Sequence, residues 1–370
     1  MKKNVLVIAG LAVLSTSAFA SKARMEALGQ SNSGSRYISD SRSVFLNPAE
    51  LNGMKNYIVT EWGASAATDS ATAPRAEGGF FRDAGAFAYG LYLGNDSSRI
   101  DHTSTYLTQT NAMDLFLAGD MGVKWGARVH YANAKDETTT TTKKHSALGL
   151  GLGMTQGDLS AHLNMDLADK STGTGVVNEG AYTEKLKPSF DLGASYAWSG
   201  YTFFAGYTSN KAEKVEGTVT TTTKHSETSV GAGRVHEINP TARLFTDLTL
   251  RLTTDETSAV PADPALGKST KSILPLTLGM EADATSWLVV RGSVSQNVFL
   301  GTEKNIAGKK KTTANSTNVN AGGTLNFGKL KVDGTIGTTP NARNGGTVGA
   351  KEGVLATDNL MSRVGVSYSF

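Results

Sequence analysis

The feature that most constrains this chain is a two-residue alternation that recurs along nearly its whole length. Near the end, Val364, Val366, Tyr368 and Phe370 share one parity, and Arg363, Gly365, Ser367 and Ser369 share the other. Successive side chains of a strand point to opposite faces, so this stretch reads as a strand with one apolar and one polar face. Trp125, Ala127, Val129 and Tyr131 alternate with Lys124, Gly126, Arg128 and His130 in the same way. So do Phe190, Leu192, Ala194, Tyr196 and Trp198 with Ser189, Asp191, Gly193 and Ser195. The pattern predicts strands at 56–66, 76–82, 85–94, 112–119, 122–133, 145–155, 158–169, 186–198, 200–210, 224–237, 241–254, 271–283, 286–298, 315–327, 329–339 and 359–370. That is about sixteen, an even number in the range used by bacterial barrels. The second, fourth and tenth segments alternate least, which leaves fourteen open.

The connections alternate in length as well. Short ones fall at Asp83-Ala84, Asp120-Met121, Gly157, Ser199, Asn239-Pro240, Thr285 and Gly328. Between them lie long polar segments: 95–111, 134–144, 170–185, 211–223, 255–270, 299–314 and 340–358. A soluble meander has no reason to sort its connections by side. An outer-membrane barrel has one, with tight periplasmic turns and long external loops. Both termini then lie on the short-turn side. In lipid every backbone N–H and C=O needs an internal partner, and strands achieve that only by closing. The expected fold class is therefore an all-β, antiparallel transmembrane barrel.

The first residues carry an export signal. Lys2 and Lys3 precede an apolar run from Val5 to Leu14, and Ala18-Phe19-Ala20 is a small-x-small cleavage site. Beyond Ala20 no stretch of 18 apolar residues occurs, which excludes a transmembrane helix. Without Lys2 and Lys3 the charge falls from 36 − 33 = +3 to 34 − 33 = +1, so nothing points to nucleic acid. Cysteine is absent, and no disulfide framework exists in a compartment that would permit one. The expected organisation is a signal peptide at 1–20, a periplasmic or plug segment at 21–55 and the barrel at 56–370.

Charges on the lipid face cost roughly 2–4 kcal/mol for Arg or Lys near the midplane. The polar parity is therefore the inner one. The candidate pore-lining residues on it are Lys124, Arg128, Asp166, Asp191, Arg243, Asp247, Arg251, Glu281, Arg291, Lys331, Asp333 and Arg363. Arg243, Asp247 and Arg251 recur at every fourth position, which puts three charges on one face of one strand. Such a ladder opposite acidic groups generates a transverse field, and its slight basic excess favours anions weakly. Two stretches nearly repeat, "TTTTTKKHS" (138–146) and "TVTTTTKHS" (218–226). They read as polar, extended loop stems, or as metal or sugar contacts through His145 and His225. "GKKKT" (308–312) is a basic loop suited to lipopolysaccharide phosphates or simply solvated. None of the six histidines sits in a hydrolase motif, and "GLGLG" (149–153) is no nucleotide loop, because no helix follows. No enzyme activity, cofactor or metal is expected.

Three resemblances follow from these residues. The apolar-alternating end with Tyr368 and Phe370 resembles the C-terminal signature of Gram-negative outer-membrane proteins, which implies recognition by the barrel assembly machinery. "ARMEALGQ" (23–30) and "FLNPAEL" (45–51) resemble the N-terminal segment of the FadL and PorV group, where such a segment packs inside the barrel as a hatch. That group uses fourteen strands, and the polar interior here suits water better than a fatty acid. The barrel as a whole resembles the general porins, although their "PEFGG" constriction motif is missing. The expectation is an outer-membrane porin that passes small hydrophilic solutes, as a homotrimer surrounded by outer-membrane lipid and lipopolysaccharide. The alternatives are a FadL-like transporter of hydrophobic compounds and a structural or receptor barrel plugged by its N-terminal segment.

Overall fold

The computed structural model describes residues 21–31, 33–63, 76–95, 107, 111–176, 180–299, 301–304, 308, 310–312, 317–337 and 363–370. The expected signal peptide, most of the segment 95–111 and the segment 340–358 lie outside the described residues. The alternating segments form β1 (Tyr57–Gly63), β2 (Glu77–Asp83), β3 (Phe87–Leu93), β4 (Ala112–Asp120), β5 (Lys124–Glu137), β6 (Thr142–Gln156) and β7 (Leu159–Val176). They continue as β8 (Gly180–Trp198), β9 (Tyr201–Glu216), β10 (Val219–Asn239), β11 (Ala242–Val260), β12 (Lys268–Ile273) and β13 (Pro275–Asp283). The last are β14 (Leu288–Asn297), β15 (Thr302–Lys304), β16 (Lys310–Thr312), β17 (Asn318–Phe327), β18 (Leu330–Gly337) and β19 (Arg363–Ser369).

Each pairs antiparallel with its neighbours, and β1 pairs with β19, Tyr57 opposite Ser369 and Trp62 opposite Val364. β12 and β13 both lie against β11, β14 and β15 form one wall element, and so do β16 and β17, which gives a closed barrel of sixteen spans. The β1–β19 pairing joins the two ends of the sheet, the requirement for strands in lipid.

The outer face is greasy and the inner face is not. On β11, Leu248 and Leu252 are 42% and 46% exposed, while Phe245 and Thr249 on the other parity are 2% and 5% exposed. This inversion of a soluble protein's pattern places the leucines against acyl chains. Leu250 lies halfway up the apolar band, so Leu250→Arg is expected to cost about 2–4 kcal/mol. Urea unfolding in micelles measures it; Ser258→Arg, on the same face beyond the band, should leave the midpoint unchanged.

The polar segments 134–144, 170–185, 211–223 and 255–270 correct the expectation of long loops. Most of their residues are strand: β9 and β10 run on to a two-residue turn at Gly217-Thr218. Threonine favours the extended backbone, and each extension finds a neighbour to pair with. A spanning strand needs about 9–11 residues. β10 has 21, so the wall of β5 to β11 stands clear of the bilayer on the long-connection side.

The register also shifts at a bulge on β7. Leu148 pairs with Ala168 and Gly149 with Asp166, leaving Leu167 as an extra residue. Below this bulge His162 and Asn164 are buried; above it Asp169 and Ser171 are. Pro188, which has no N–H to donate, interrupts the facing β8 ladder at the same level.

Residues 21–56 do not join the wall. Lys22–Ala27 and Ser43–Leu46 are short helices, and Pro48–Gly53 is a 3-10 turn whose first amide is capped by Asn47 Oδ1 at 3.0 Å. Val44, Phe45, Leu51 and Met54 pack with inner-face Tyr57, Val59, Phe81, Tyr92 and Phe116. Met25, Leu28 and Ile38 pack with Phe245 on the opposite side.

Candidate functional site

The inner segment, residues 21–56, meets the wall through charges first. Arg24 is 2% exposed. Its guanidinium donates from Nε and Nη2 to Glu281 at 2.9 and 3.2 Å, and from Nη1 to Asp40 at 2.9 Å. Arg291 Nε donates to the same Glu281 at 3.1 Å, and its Nη1 to Asp333 at 3.1 Å. Across the barrel, Arg42 donates to Glu61 at 3.2 Å, to the Tyr92 hydroxyl at 3.1 Å and to Asn95 at 3.1 Å. Its guanidinium also lies 3.9 Å over the Phe45 ring. The Lys22 amide donates to Glu61 at 2.5 Å, and its ammonium pairs with Glu77. Buried ions are tolerated only when paired and hydrogen-bonded. Here the wall supplies Glu61, Glu77 and Glu281, and the segment supplies Lys22, Arg24 and Arg42.

The electrostatics inside the segment follow from burial. Asp40 is fully buried, and burial pushes its carboxyl up to about 6 against the pull of Arg24. Burial likewise lowers the Lys22 ammonium and the Arg36 guanidinium from their usual values.

Backbone-directed bonds complete the ring. Arg128 donates to the Phe45 carbonyl at 3.3 Å and Asn164 to that of Leu46 at 2.8 Å. Asn47 donates to the Met154 carbonyl at 3.2 Å and to Ser160 at 2.8 Å, and Asn52 to the Trp125 carbonyl at 3.1 Å. The remaining approaches are so close that only glycine fits on the wall. A Cβ on Gly193 would lie 3.0 Å from Arg36 Nε, and one on Gly322 2.8 Å from the Ala27 Cβ. Gly206 backs onto the Arg36 guanidinium, Gly233 onto the Tyr37 ring and Gly365 onto Ser21. The segment thus touches the wall on every side.

The residues expected on the inner parity fall in different surroundings. Arg128, Glu281, Arg291 and Asp333 are buried in the contacts just described. Lys331 is 9% exposed beside Asp333. Asp191 accepts from Thr208 at 2.8 Å and pairs with His162 at 2.9 Å, Asp166 accepts from Ser189 at 3.0 Å, and Asp247 accepts from Thr249 at 2.6 Å. Arg243 stands directly opposite Glu281 on the next strand. Lys124, near the short turns, and Arg251, higher up, are exposed. The Arg363 side chain lies outside the described residues. Tyr368 and Phe370 are 42% and 47% exposed on the outer side, with the Phe370 amide bonded to the Asn56 carbonyl at 3.0 Å.

The pattern-based list missed the partners on the segment itself: Arg24, Arg36, Asp40, Arg42 and Asn47. It also missed Glu61, Glu77 and the buried pair of His130 with Asp114 at 2.9 Å. His145 and His225, read as loop-stem residues or as metal or sugar contacts, bond to Asp169 at 2.8 Å and to Asp255 at 2.7 Å. Among the described residues no group of three or more His, Asp or Glu is placed to hold a metal ion.

No family model and no curated protein matches this chain. Among solved structures it is similar to the Ralstonia pickettii toluene transporter TbuX, with 11% identity, TM-score 0.41, and 96% of this chain and 99% of that one covered. The CymD monoaromatic hydrocarbon channel gives 11% identity and TM-score 0.39, with 96% and 98% covered. A triple mutant of the Rhodopseudomonas blastica porin gives 11% identity and TM-score 0.31, with 85% and 98% covered. These are likenesses of outline only.

Proposed function

We propose that this protein is an outer-membrane channel for small hydrophilic solutes whose route is set by residues 21–56, not by an open lumen. The supporting observation is the continuous ring of buried ion pairs and close contacts between that segment and the wall. An open-diffusion porin has no need of such a ring. Above the segment the inner parity carries Arg251, Glu227, His225 and Asp255, which suit a hydrated solute. A transporter of hydrophobic compounds needs free apolar surface inside. Here inner-face Tyr92 and Phe116 are already taken by the Phe45 ring, at 4.9 and 5.3 Å between centroids.

Planar-bilayer recording of the intact protein tests this. The expected record is small or infrequent steps, against the steady, large, ohmic steps of an open sixteen-stranded pore. Such large steps from the wild-type chain would refute the proposal.

A further inference from the structure

Where the inner segment meets β8 to β11, three charged groups have no bonding partner. Arg36 leaves the segment and lies against the wall: a Cβ on Gly206 would strike its Nη2, and one on Gly193 would lie 3.0 Å from its Nε. That Nε is buried and has no hydrogen-bond partner. The guanidinium feels the carboxylates of Asp191, Glu227 and Asp247 and the like charge of Arg251, yet among the described residues it is bonded to none of them. Arg251 and Glu227 are likewise bonded to no other side chain among the described residues. The neighbouring acids differ: Asp191 pairs with His162 and accepts from Thr208, and Asp247 accepts from Thr249.

Register explains why these groups meet. Gly193, Gly206, Ser229 and Arg251 stand opposite one another in turn across β8, β9, β10 and β11, so they share the inner face. Two glycines and a serine leave the room that the Arg36 side chain fills. Glu227 lies two residues above Ser229 on β10, between Thr208 and Thr253 on the flanking strands. Asp247 lies four residues below Arg251 on β11. Next to Arg36 the Tyr37 ring stacks on Phe204, with centroids 6.5 Å apart, nearer the short turns.

The charges specify what would complete them. Two neighbouring guanidiniums repel, and a carboxylate between them relieves both while using their forked donors. A plain anion also meets Glu227, which repels it; an ammonium on the same solute answers that charge. Arg36 and Arg251 against Asp247 and Glu227 sum to 2 − 2 = 0, so the cluster favours neither sign by net field. Its complement carries both. We infer that Arg36, Arg251 and Glu227 form a binding site for a small zwitterion of the α-amino acid class, its carboxylate between the two guanidiniums and its ammonium at Glu227. The site rests on the reading of the protein as a channel for hydrophilic solutes and names the solute class.

Saturation-transfer NMR of the intact protein in dodecyl maltoside micelles tests this with L-alanine, propionate and ethylamine, which share a skeleton and differ in charge. L-alanine should bind saturably. Propionate and ethylamine should each bind about tenfold more weakly, the factor for one lost charge-assisted hydrogen bond. Arg251→Gln should weaken L-alanine about tenfold by the same measure. So should Arg36→Gln, with protection from trypsin at Arg42 showing that the segment stays docked. Glu227→Gln should bring L-alanine and propionate to equal affinity, a change of preference that a purely structural role would not produce. Equal binding of L-alanine and propionate by the wild type overturns the inference. So does unchanged L-alanine binding in Arg251→Gln, a preference that survives Glu227→Gln, or the absence of saturable binding. Large ohmic steps would sink the channel reading without moving these equilibrium affinities, so the two failures are distinct.

Discussion

Arg24→Ala is expected to release the inner segment from the wall while leaving the barrel intact. The guanidinium bridges Glu281 and Asp40, with bonds of 2.9, 2.9 and 3.2 Å. Around it, Asp40, Glu281 and Asp333 face Arg24, Arg291 and Lys331, with Arg243 opposite Glu281 on the next strand. Removing one partner of a buried pair leaves an uncompensated charge, at a cost of about 3–5 kcal/mol. That exceeds what a short helix and a few backbone bonds can hold, so the undocked state becomes populated. Conductance should rise to larger, longer steps, and trypsin should cut after Arg42, which is 3% exposed in the docked state.

Arg24→Lys should recover part of the loss, because a lysine restores the charge but not the fork that engages two carboxylates. The effect also depends on pH. Asp40 is already at about 6 because it is buried, and Arg24 is the first group pulling it down. Without Arg24 the carboxyl rises further. A group whose docked pKa lies above its free value favours docking below that free value and loses the benefit as pH rises through the docked one. The variant's defect should therefore be smaller at pH 5 than at pH 8. Wild-type conductance and full trypsin protection at pH 8 would show that Arg24 is not what anchors the segment.

The alternation made the wall legible because each face of a spanning strand meets a different solvent. Trp125 to Tyr131 and Phe190 to Trp198 alternate strictly for that reason, and their strands lie where the pattern puts them. The signal fades where the solvent is the same on both faces. Above the bilayer β9 and β10 carry lysine, glutamate and threonine on either side, so Thr220 to Thr223 read as a loop although they are paired on both flanks. The bulge at Leu167 was hidden for a related reason: it swaps the inner parity without adding an apolar residue out of place.

The site was harder to see. Arg128, Glu281, Arg291 and Asp333 stood out as inward charges, but a charged inner wall looks the same whether it faces water or a buried counter-charge. The distinguishing signal was the glycine on the inner parity. Gly126, Gly153, Gly193, Gly206, Gly233 and Gly365 have no use in a water-filled lumen, and each backs onto a residue between Ser21 and Ala49.

Gly126 turns that observation into a second test. A Cβ there would meet the Pro48 carbonyl and the Ala49 amide, which are backbone and cannot rotate away. Valine suits a strand better than glycine does, so Gly126→Val is expected to leave β5 paired and to act on the segment instead. Overpacking a well-fitted contact costs about 1–3 kcal/mol. Here the displaced turn also forfeits the Asn47 bonds to Met154 and Ser160 and the Asn52 bond to Trp125. At about 1 kcal/mol for each bond lost, the total approaches that of removing Arg24 by a route that changes no charge. The expected phenotype is again larger conductance and tryptic cleavage after Arg42, now with a smaller change between pH 5 and 8 than the Arg24 variant shows, because Arg24 still holds Asp40 down. Gly53→Ala is the matched control: it lies in the same turn, and a Cβ there would meet nothing within 4 Å. If Gly126→Val keeps wild-type conductance and protection, the turn is free to yield, and close contact with the wall is not what holds the segment in place.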